Sequence, residues 1–314
     1  DEKINIRIIN SDTVFGKNIF KVCSGIIKII LSFIFSISSM IRAKPKLIIG
    51  MGGYSSFPIC AAGWCLRIPV IIYENNLVIG RANKFILPIA RKILVSTKDI
   101  QGIKSKYSKK ISFSGYLIRS HILNLKKENI QNLEKKILSV LIMGGSQSAK
   151  IFGEILPNVV TKCFENGVRL KIYQQCLDQQ ASQIKKIYEN FKLEFELFSF
   201  SGDMSKYYKL ADLAITRSGA SSIAELVNLR IPFIAIPLPS SADNHQFQNA
   251  NYFEKKGYCF LLEEKFISDK LFEILMDLNK DEKKLFLMKE RMKEHSDKDT
   301  LLKIEKLIEK ILNE

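Results

Sequence analysis

The sequence predicts an α/β protein with two doubly wound parallel-sheet domains, and three observations carry this prediction. Short apolar runs alternate with helix-like segments along the chain, which is typical of parallel strands joined by crossover helices. Most of these runs are nearly continuous in Val, Ile and Leu, as expected for strands that are covered on both faces. The length of 314 residues is too great for one small core and fits two domains.

The strands and helices follow from this pattern in chain order. The predicted strands are residues 4–9, 47–50, 70–73, 93–96, 111–113, 138–143, 169–173, 213–216, 233–236 and 259–262. The clearest helices between them are residues 56–66, 81–90, 148–165 and 245–256. The apolar pattern breaks near residues 123–136. We therefore predict an N-terminal domain over 1–122, a C-terminal domain over 123–295 and a terminal helix over 296–314 that packs back on the first domain.

Composition indicates a globular protein, because 46% of the residues are hydrophobic and 25% are charged. The formal net charge of +16 has two interpretations. It indicates an anionic partner such as lipid head groups, nucleotide phosphates or nucleic acid, or it reflects lysines scattered over every surface. The six cysteines form no CxxC pair, which disfavours a structural zinc site, and the absence of a secretory signal predicts a cytosolic protein.

The apolar segment 20–41 has three interpretations. It is long enough to cross a membrane, but Lys28 near its middle would cost about 2.5–3.5 kcal/mol there. A buried crossover helix before the strand 47–50 is the interpretation that the sequence favours. A third interpretation is a crossover helix whose outer face touches a membrane.

Three glycine-rich turns follow predicted strands, at residues 50–58, 144–150 and 218–225. Glycine lets the backbone approach a ligand closely, often with positive φ. Because all three turns lie at carboxyl ends of strands, we expect them around one cleft between the domains. Their spacing matches neither a dinucleotide-binding GxGxxG, nor a P-loop, nor the GxSxG nucleophile elbow.

The third turn is the most informative, because a strand, a Gly-Ser turn and a helix start follow one another. Backbone N–H groups at the helix start suit a diphosphate, and the hydroxyls of Ser221 and Ser222 add donors. Glu225, one helical turn on, suits two vicinal ribose hydroxyls. A second polar group, residues 243–246, opens another helix, where His245 and Gln246 suit sugar hydroxyls.

Together these motifs resemble the MurG family of peptidoglycan N-acetylglucosaminyltransferases, in the same order over residues 44–263. The resemblance implies a GT-B fold, with two Rossmann-like domains facing a cleft. It implies inverting transfer of GlcNAc from UDP-GlcNAc to the muramoyl 4-hydroxyl of lipid I, giving lipid II for cell-wall synthesis and cell division. It implies no cofactor, no obligatory metal ion and no nucleic acid partner. It also implies a peripheral protein on the anionic cytoplasmic face of the inner membrane.

The resemblance also assigns site residues by position. Glu225 would hold the ribose, while the diphosphate would lie against Ala220, Ser221 and Ser222, with Ser146 on the same group. The remaining residues implied to bind substrate are Asn76, Arg119, Ser201, His245 and Gln246. Gly144 and Gly145 would lie in a phosphate loop, and residues 200–204 would form the loop whose backbone contacts uracil. Glu74 is the visible candidate for the catalytic base, and a structural or acceptor-orienting role suits it at least as well.

The apolar patch that the family turns toward the membrane falls near Ile30, Phe33 and Trp64, with basic residues around it. This resemblance favours a membrane-facing surface on the segment 20–41. It also gives part of the positive charge a reason, since each basic residue near an anionic surface contributes about 1 kcal/mol.

The sequence departs from the family at the acceptor side. Residues 73–76 lack the family's histidine, and residues 116–119 keep only its arginine. The chain opens at Asp1 without Met, and no glycine-rich loop precedes the first predicted strand, so we expect the first βα units to be missing. The alternative function is therefore a truncated, non-catalytic remnant or membrane-bound scaffold that at most binds UDP-sugar. A 2-epimerase of the same fold is disfavoured, because the chain has only three histidines.

Overall fold

The computed structural model describes Ile6, Ile8 and residues 19–125, 137–199, 201–281 and 283–314. Inside its helices the side chains of residues 19–21, 23 and 145–149 lie outside this description. The predicted strand 4–9 lies outside it as well, apart from Ile6 and Ile8. The chain divides into two units, one reaching to Tyr116 and including Asp299–Glu314, the other Leu117–Lys298. This division falls six residues before the predicted boundary and places Arg119 in the second unit.

Helices and strands alternate throughout the described residues. In chain order the elements are α1 (Ile19–Ala43), β1 (Ile48–Gly50), α2 (Ser56–Cys65), β2 (Val70–Glu74), α3 (Arg81–Ile86), β3 (Lys92–Val95), β4 (Ile111–Phe113), α4 (Ser120–Leu123), β5 (Leu138–Met143), α5 (Gly145–Glu165), β6 (Leu170–Gln175), α6 (Asp178–Asn190), β7 (Glu194–Phe198), α7 (Ser205–Leu210), β8 (Leu213–Thr216), α8 (Ala220–Asn228), β9 (Phe233–Ala235), α9 (His245–Lys255), β10 (Cys259–Leu261), α10 (Ile267–Lys280), α11 (Lys283–Met292) and α12 (Thr300–Asn313).

The first unit has a parallel sheet with the strand order β1-β2-β3-β4. Its central strand β2 is buried along its whole length, because helices and loops cover both faces. Helix α2 packs closely on β1 at Gly63, where an added Cβ would lie 2.0 Å from Cδ1 of Ile48. Glycine at this position therefore sets the distance between helix and sheet.

Helix α1 buries a narrow face that includes two serines and leaves most of its large apolar residues exposed. Its most buried side chains include Ser32, Ser36 and Met40, and the Ser36 hydroxyl donates to the Ser32 carbonyl oxygen at 2.6 Å. The exposed large residues are Ile26, Ile27, Ile30, Leu31, Ile34, Phe35 and Ile41. The interpretation of this segment as a buried core helix is therefore wrong. The stretch Ser24–Ala43 is long and apolar enough to cross a membrane, by length and composition only, and 22% of it is buried.

The second unit has a six-stranded parallel sheet with the order β10-β9-β8-β5-β6-β7. From β5 the chain builds outward through β6 to β7, then returns to place β8 on the other side of β5. The strand order thus reverses between β5 and β8. In open sheets of this kind, ligands bind beyond the carboxyl ends of the strands at such a reversal.

Strand β7 (Glu194–Phe198) was not predicted from the sequence. It lies at the edge of the sheet and alternates charged and apolar residues, with Glu194 exposed. The other predicted strands over 47–262 are present with small shifts at their ends. Two α/β units with parallel sheets confirm the predicted fold class.

Helix α12 belongs to the first unit. The Thr300 hydroxyl donates to the carbonyl oxygen of Ser114 at 3.1 Å, just beyond the end of β4. At the other end of the helix, Arg91 Nη2 lies 2.5 Å from a carboxylate oxygen of Glu314. Contacts at both of its ends therefore hold this helix to the first sheet.

Candidate functional site

The glycine-serine turn lies at the strand reversal of the second unit. Met143 and Thr216 are paired at the carboxyl ends of β5 and β8. Gly144 follows β5 and caps helix α5, while residues 217–219 follow β8 and lead into α8. The two predicted phosphate loops of this unit therefore follow neighbouring strands at the same edge of the sheet.

Side chains of α9 fix the turn after β8. Gln246 Oε1 accepts hydrogen bonds from the backbone N–H groups of Ser218 at 3.2 Å and Leu238 at 3.0 Å. Asn249 Nδ2 donates to the Ser218 carbonyl oxygen at 3.2 Å. The sequence predicts Gln246 as a reader of the sugar. In the structure Oε1 holds the turn, so contact with the sugar would have to come from Nε2 as a hydrogen-bond donor.

Arg217 is buried and supports the turn from below. Its Nη1 donates to the carbonyl oxygens of Ile236 and Pro237 at 3.3 and 3.2 Å, and its Nη2 pairs with Glu264. The guanidinium also lies over the ring of Phe152, 4.9 Å from the centroid. These contacts tie the end of β8 to the chain that follows β9.

Glu225 is almost completely buried one turn into α8. Arg119 binds its carboxylate side-on, with Nε 3.0 Å from Oε1 and Nη2 3.1 Å from Oε2. The Tyr208 hydroxyl donates to Oε2 at 2.7 Å. The side chain of Arg119 is 45% exposed, whereas that of Glu225 is 10% exposed. The predicted ribose carboxylate is thus held by one exposed cation and one buried hydroxyl.

The loop predicted to contact uracil is linked to the same carboxylate. Arg119 Nη1 donates to the Gly202 carbonyl oxygen at 3.0 Å. The Ser201 hydroxyl donates to the Asp203 carbonyl oxygen at 2.6 Å, so it organises its own loop. Hydrogen bonds from Ser205 lower the pKa of Asp203. Phe200, the first residue of the predicted loop, lies outside the described residues.

The start of α8 presents small residues. Ala220 is buried, Ser221 is exposed and Ser222 is partly exposed. Gly219 precedes them in an extended conformation, with φ −66° and ψ 135°. Ser146, which is predicted to share the phosphate with them, lies outside the described side chains. Backbone N–H groups at the start of a helix favour an anion, so this end of α8 suits a phosphate.

His245 opens α9 after two residues with left-handed backbone. Asp243 and Asn244 have φ of 51° and 54°, which is uncommon for residues with a Cβ. His245 Nδ1 lies 2.6 Å from the carbonyl oxygen of Ala242. Only a protonated Nδ1 can donate to that carbonyl, so the neutral ring presents an Nε2 lone pair.

Glu74, at the end of β2 in the first unit, accepts hydrogen bonds from nitrogen atoms of its own loop and helix. Oε1 accepts from the backbone N–H and the Nδ2 of Asn76, at 3.0 and 3.1 Å. Oε2 accepts from the backbone N–H of Gly80 at 2.8 Å and from Asn83 Nδ2 at 2.9 Å. A general base needs a lone pair directed at its substrate, so these contacts favour the structural or acceptor-orienting role for Glu74.

The predicted membrane patch is divided by the structure. Ile30 and Trp64 are exposed, at 52% and 55% of their accessible surface. Phe33 is half-buried and packs against the core of the first unit. The neighbouring residues Ile34 and Phe35 are exposed instead.

Both halves of the chain match domains of one glycosyltransferase family. Residues 1–95 match the glycosyltransferase family 28 N-terminal domain, and residues 139–308 match the family 28 C-terminal domain. The chain belongs to glycosyltransferase family 28. Among the residues that the structure describes, it groups no three His, Cys, Asp or Glu side chains as metal ligands.

Within family 28, the chain is similar to relatives that share the name UDP-N-acetylglucosamine--N-acetylmuramyl-(pentapeptide) pyrophosphoryl-undecaprenol N-acetylglucosamine transferase. The relative from Pelagibacter ubique is 35% identical over 314 residues, covering 100% of this chain and 87% of the relative. One from Rickettsia canadensis is 39% identical over 249 residues, covering 77% of this chain and 69% of the relative.

Solved structures agree with the family 28 assignment. A crystal structure of Acinetobacter baumannii MurG has a TM-score of 0.76 at 25% identity and covers 98% of this chain and 85% of that one. A UDP-GlcNAc 2-epimerase from Neisseria meningitidis bound to UDP-GlcNAc has a TM-score of 0.62 at 12% identity, covering 93% and 82% of the two chains. The second likeness concerns the fold alone. The predicted GT-B fold and the resemblance to MurG are confirmed.

Proposed function

We propose that this chain transfers N-acetylglucosamine from UDP-GlcNAc to the muramoyl 4-hydroxyl of lipid I, with inversion at the anomeric carbon. The observation that carries the proposal is the buried Glu225 carboxylate, one turn into a helix that starts at a Gly-Ser turn. The relative from Pelagibacter ubique bears the name of this activity and aligns with the whole chain. Peptidoglycan synthesis is the process to which such a transfer belongs.

The donor half of the reaction is supported by the second unit. A carboxylate can accept from two vicinal hydroxyls at once, and burial strengthens such hydrogen bonds. Glu225 is positioned for a ribose, and the start of α8 faces the same turn with N–H groups suited to the diphosphate. Stabilising the charge that develops on the departing UDP is what this helix start contributes to transfer.

Arg119 has two roles in the proposal. In the structure it neutralises Glu225 and contacts the Gly202 carbonyl oxygen. When ribose hydroxyls take the carboxylate, the guanidinium becomes available to the diphosphate, which is a stronger partner because it carries more charge. Binding of the nucleotide would thereby exchange one ion pair for another.

We do not assign Glu74 as the general base. Four N–H donors occupy its carboxylate, and a proton taken from a substrate would break at least one of them. We assign to Glu74 instead the role of fixing the conformation of the loop 75–80. Asn76 in this loop would then contact the acceptor.

We propose also that the outward face of α1 lies on an anionic membrane surface. Among the side chains of this helix that the structure describes, seven large apolar ones are exposed, while the buried face includes two serines. A soluble protein rarely exposes a contiguous apolar face of this size without a partner. Arg42 in the last turn of the helix and Lys44 and Lys46 just after it suit lipid phosphates. The relatives named above act on an undecaprenol-linked substrate, which resides in a bilayer.

Titration calorimetry with UDP-GlcNAc tests the donor site. The parent chain should bind, and Glu225→Ala should weaken binding by roughly 30–150-fold through lost charge-assisted hydrogen bonds. Glu196→Ala is the matched control, because Glu196 also accepts from a tyrosine and a cation but lies on β7 at the sheet edge. A parent chain that neither binds UDP-GlcNAc nor transfers it to lipid I in vesicles would refute the proposed function.

Vesicle flotation tests the membrane face. The double variant Ile30→Ser, Ile34→Ser should bind vesicles that contain anionic lipid about tenfold or more weakly. Each exchange removes most of the apolar area that the isoleucine would bury in the membrane. Phe286→Ser with Leu287→Ser, on an exposed apolar pair of α11, is the control and should leave binding unchanged. Equal loss in both double variants would contradict the assignment of α1 as the docking face.

A further inference from the structure

We propose that Tyr208 is a positioning residue that holds the Glu225 carboxylate in the orientation required to accept both ribose hydroxyls. The inference rests on the proposed function and concerns how the donor site keeps its shape. Tyr208 was not among the residues that the sequence indicated. It acts through Glu225 rather than on the nucleotide.

The contact is short and buried. The Tyr208 hydroxyl lies 2.7 Å from Glu225 Oε2, and only 3% of Tyr208 is exposed. A phenol that donates to a charged oxygen in a dry environment makes one of the stronger hydrogen bonds available to a neutral group. The ring cannot turn away without breaking its packing, so one carboxylate oxygen is held in place.

The two partners of Glu225 differ in how easily they release it. Arg119 is nearly half-exposed and reaches the carboxylate from the surface, so water or a ligand can replace it. Tyr208 reaches the same group from inside. A carboxylate has about four acceptor positions, of which the tyrosine takes one. Release of the arginine therefore leaves enough positions for two hydroxyls, and the tyrosine still fixes the plane.

Tyr208 is also connected to the loop predicted to contact uracil. Its backbone N–H donates to the Met204 carbonyl oxygen at 3.0 Å, and Ser205, at the start of the same helix, donates to Asp203 Oδ1 at 2.8 Å. Helix α7 therefore begins at the loop predicted to contact uracil, and its Tyr208 contacts Glu225, the predicted ribose carboxylate. In this way Tyr208 fixes the position of that carboxylate relative to the loop.

The chemistry of the phenol suits this task. Burial, and then the charge of Glu225, raise the pKa of Tyr208 far above its ordinary value, so the hydroxyl stays protonated and donates at every working pH. A neutral donor orients the carboxylate without cancelling its negative charge. The full charge stays available for the ribose hydroxyls once Arg119 has moved.

The test compares Tyr208→Phe with Tyr207→Phe in the full chain. Tyr207 is the matched control, because it lies on the same helix and also donates to a glutamate, Glu196, at 3.0 Å. Affinities for UDP and for 2′,3′-dideoxy-UDP are measured by calorimetry, and thermal unfolding verifies that each variant is folded. Tyr208→Phe should weaken UDP about 5- to 10-fold and leave dideoxy-UDP within twofold, because the dideoxy analogue has no hydroxyl for Glu225. Tyr207→Phe should change neither affinity by more than twofold.

Two further measurements distinguish a positioning role of Tyr208 from a general structural one. With UDP-GlcNAc as substrate, Tyr208→Phe should raise KM while kcat stays within about twofold, since the contact serves ground and transition state alike. In a Glu225→Gln background, the added Tyr208→Phe should change UDP affinity less than twofold, because coupled residues are not additive.

Equal weakening of UDP and dideoxy-UDP by Tyr208→Phe would show a general structural role and overturn the inference, and so would no change in either affinity. A parent chain without UDP affinity would refute the proposed function instead. The two failures are therefore distinguishable.

Discussion

Two buried glutamates, one in each unit, differ in what holds them. Glu74 is bound by N–H donors from residues 76–83, all within nine positions of it in the chain. Glu225 is bound by Arg119 and Tyr208, which are 106 and 17 positions away. The first carboxylate is enclosed by its own loop. The second is held by one partner that can leave and one that cannot.

This difference is the one we expect between a structural carboxylate and one that binds a ligand. Two of the four donors to Glu74 are backbone N–H groups, which are part of the fold and cannot be given up without local unfolding. A half-exposed guanidinium can exchange one anion for another at little cost. Burial alone would have ranked the two glutamates as equals, and the nature of their partners distinguishes them.

The largest expected effect is on stability, and it should appear at Glu74. Glu74→Gln replaces an acceptor oxygen by an NH2 group that faces other donors, so unfolding should become easier by about 3 kcal/mol. Trp64 is the single tryptophan of the chain and lies on α2 of the first unit, so its fluorescence in a urea titration reports that unit. Glu225→Gln should leave the Trp64 transition in place. An equal shift of that transition in both variants would contradict the comparison.

A smaller effect, on binding, should separate the two tasks of Arg119. Arg119→Ala should weaken UDP about tenfold, through the lost charge on the diphosphate. Uridine carries no phosphate, and it should bind as well as before or about twofold better, because Glu225 is no longer shared. Arg91→Ala, which removes an exposed arginine of the first unit, is the control. Equal weakening of uridine and UDP would show that the Arg119–Glu225 pair serves only the fold.

Much of the fold followed from the sequence, because strands covered on both faces leave continuous apolar runs. Strand β7 escaped for the opposite reason. It lies at the edge of its sheet, where Glu194 and Glu196 alternate with Phe195 and Leu197 and interrupt the run. A search for alternation, with period two, would have found it.

The candidate site was predictable where glycines and a helix start mark it, and less so where distant side chains meet. Nothing in the residues around Tyr208 indicates that its hydroxyl reaches Glu225. The inward face of α1 did leave a signal, since Ser32, Ser36 and Met40 recur at intervals of four. Residues at that interval lie on one face of a helix, and the two serines among them allow close packing there.

The division of the chain has a consequence for how these halves can be inherited and handled. Leu117–Lys298 is one uninterrupted stretch of sequence, inserted into a first unit that resumes at Asp299. A single gene fragment can therefore encode the second unit, whereas the first unit is made of two separate stretches, the later one being residues 299–314. Recombination could transplant the former in a single exchange. The latter would have to be exchanged as two separate pieces.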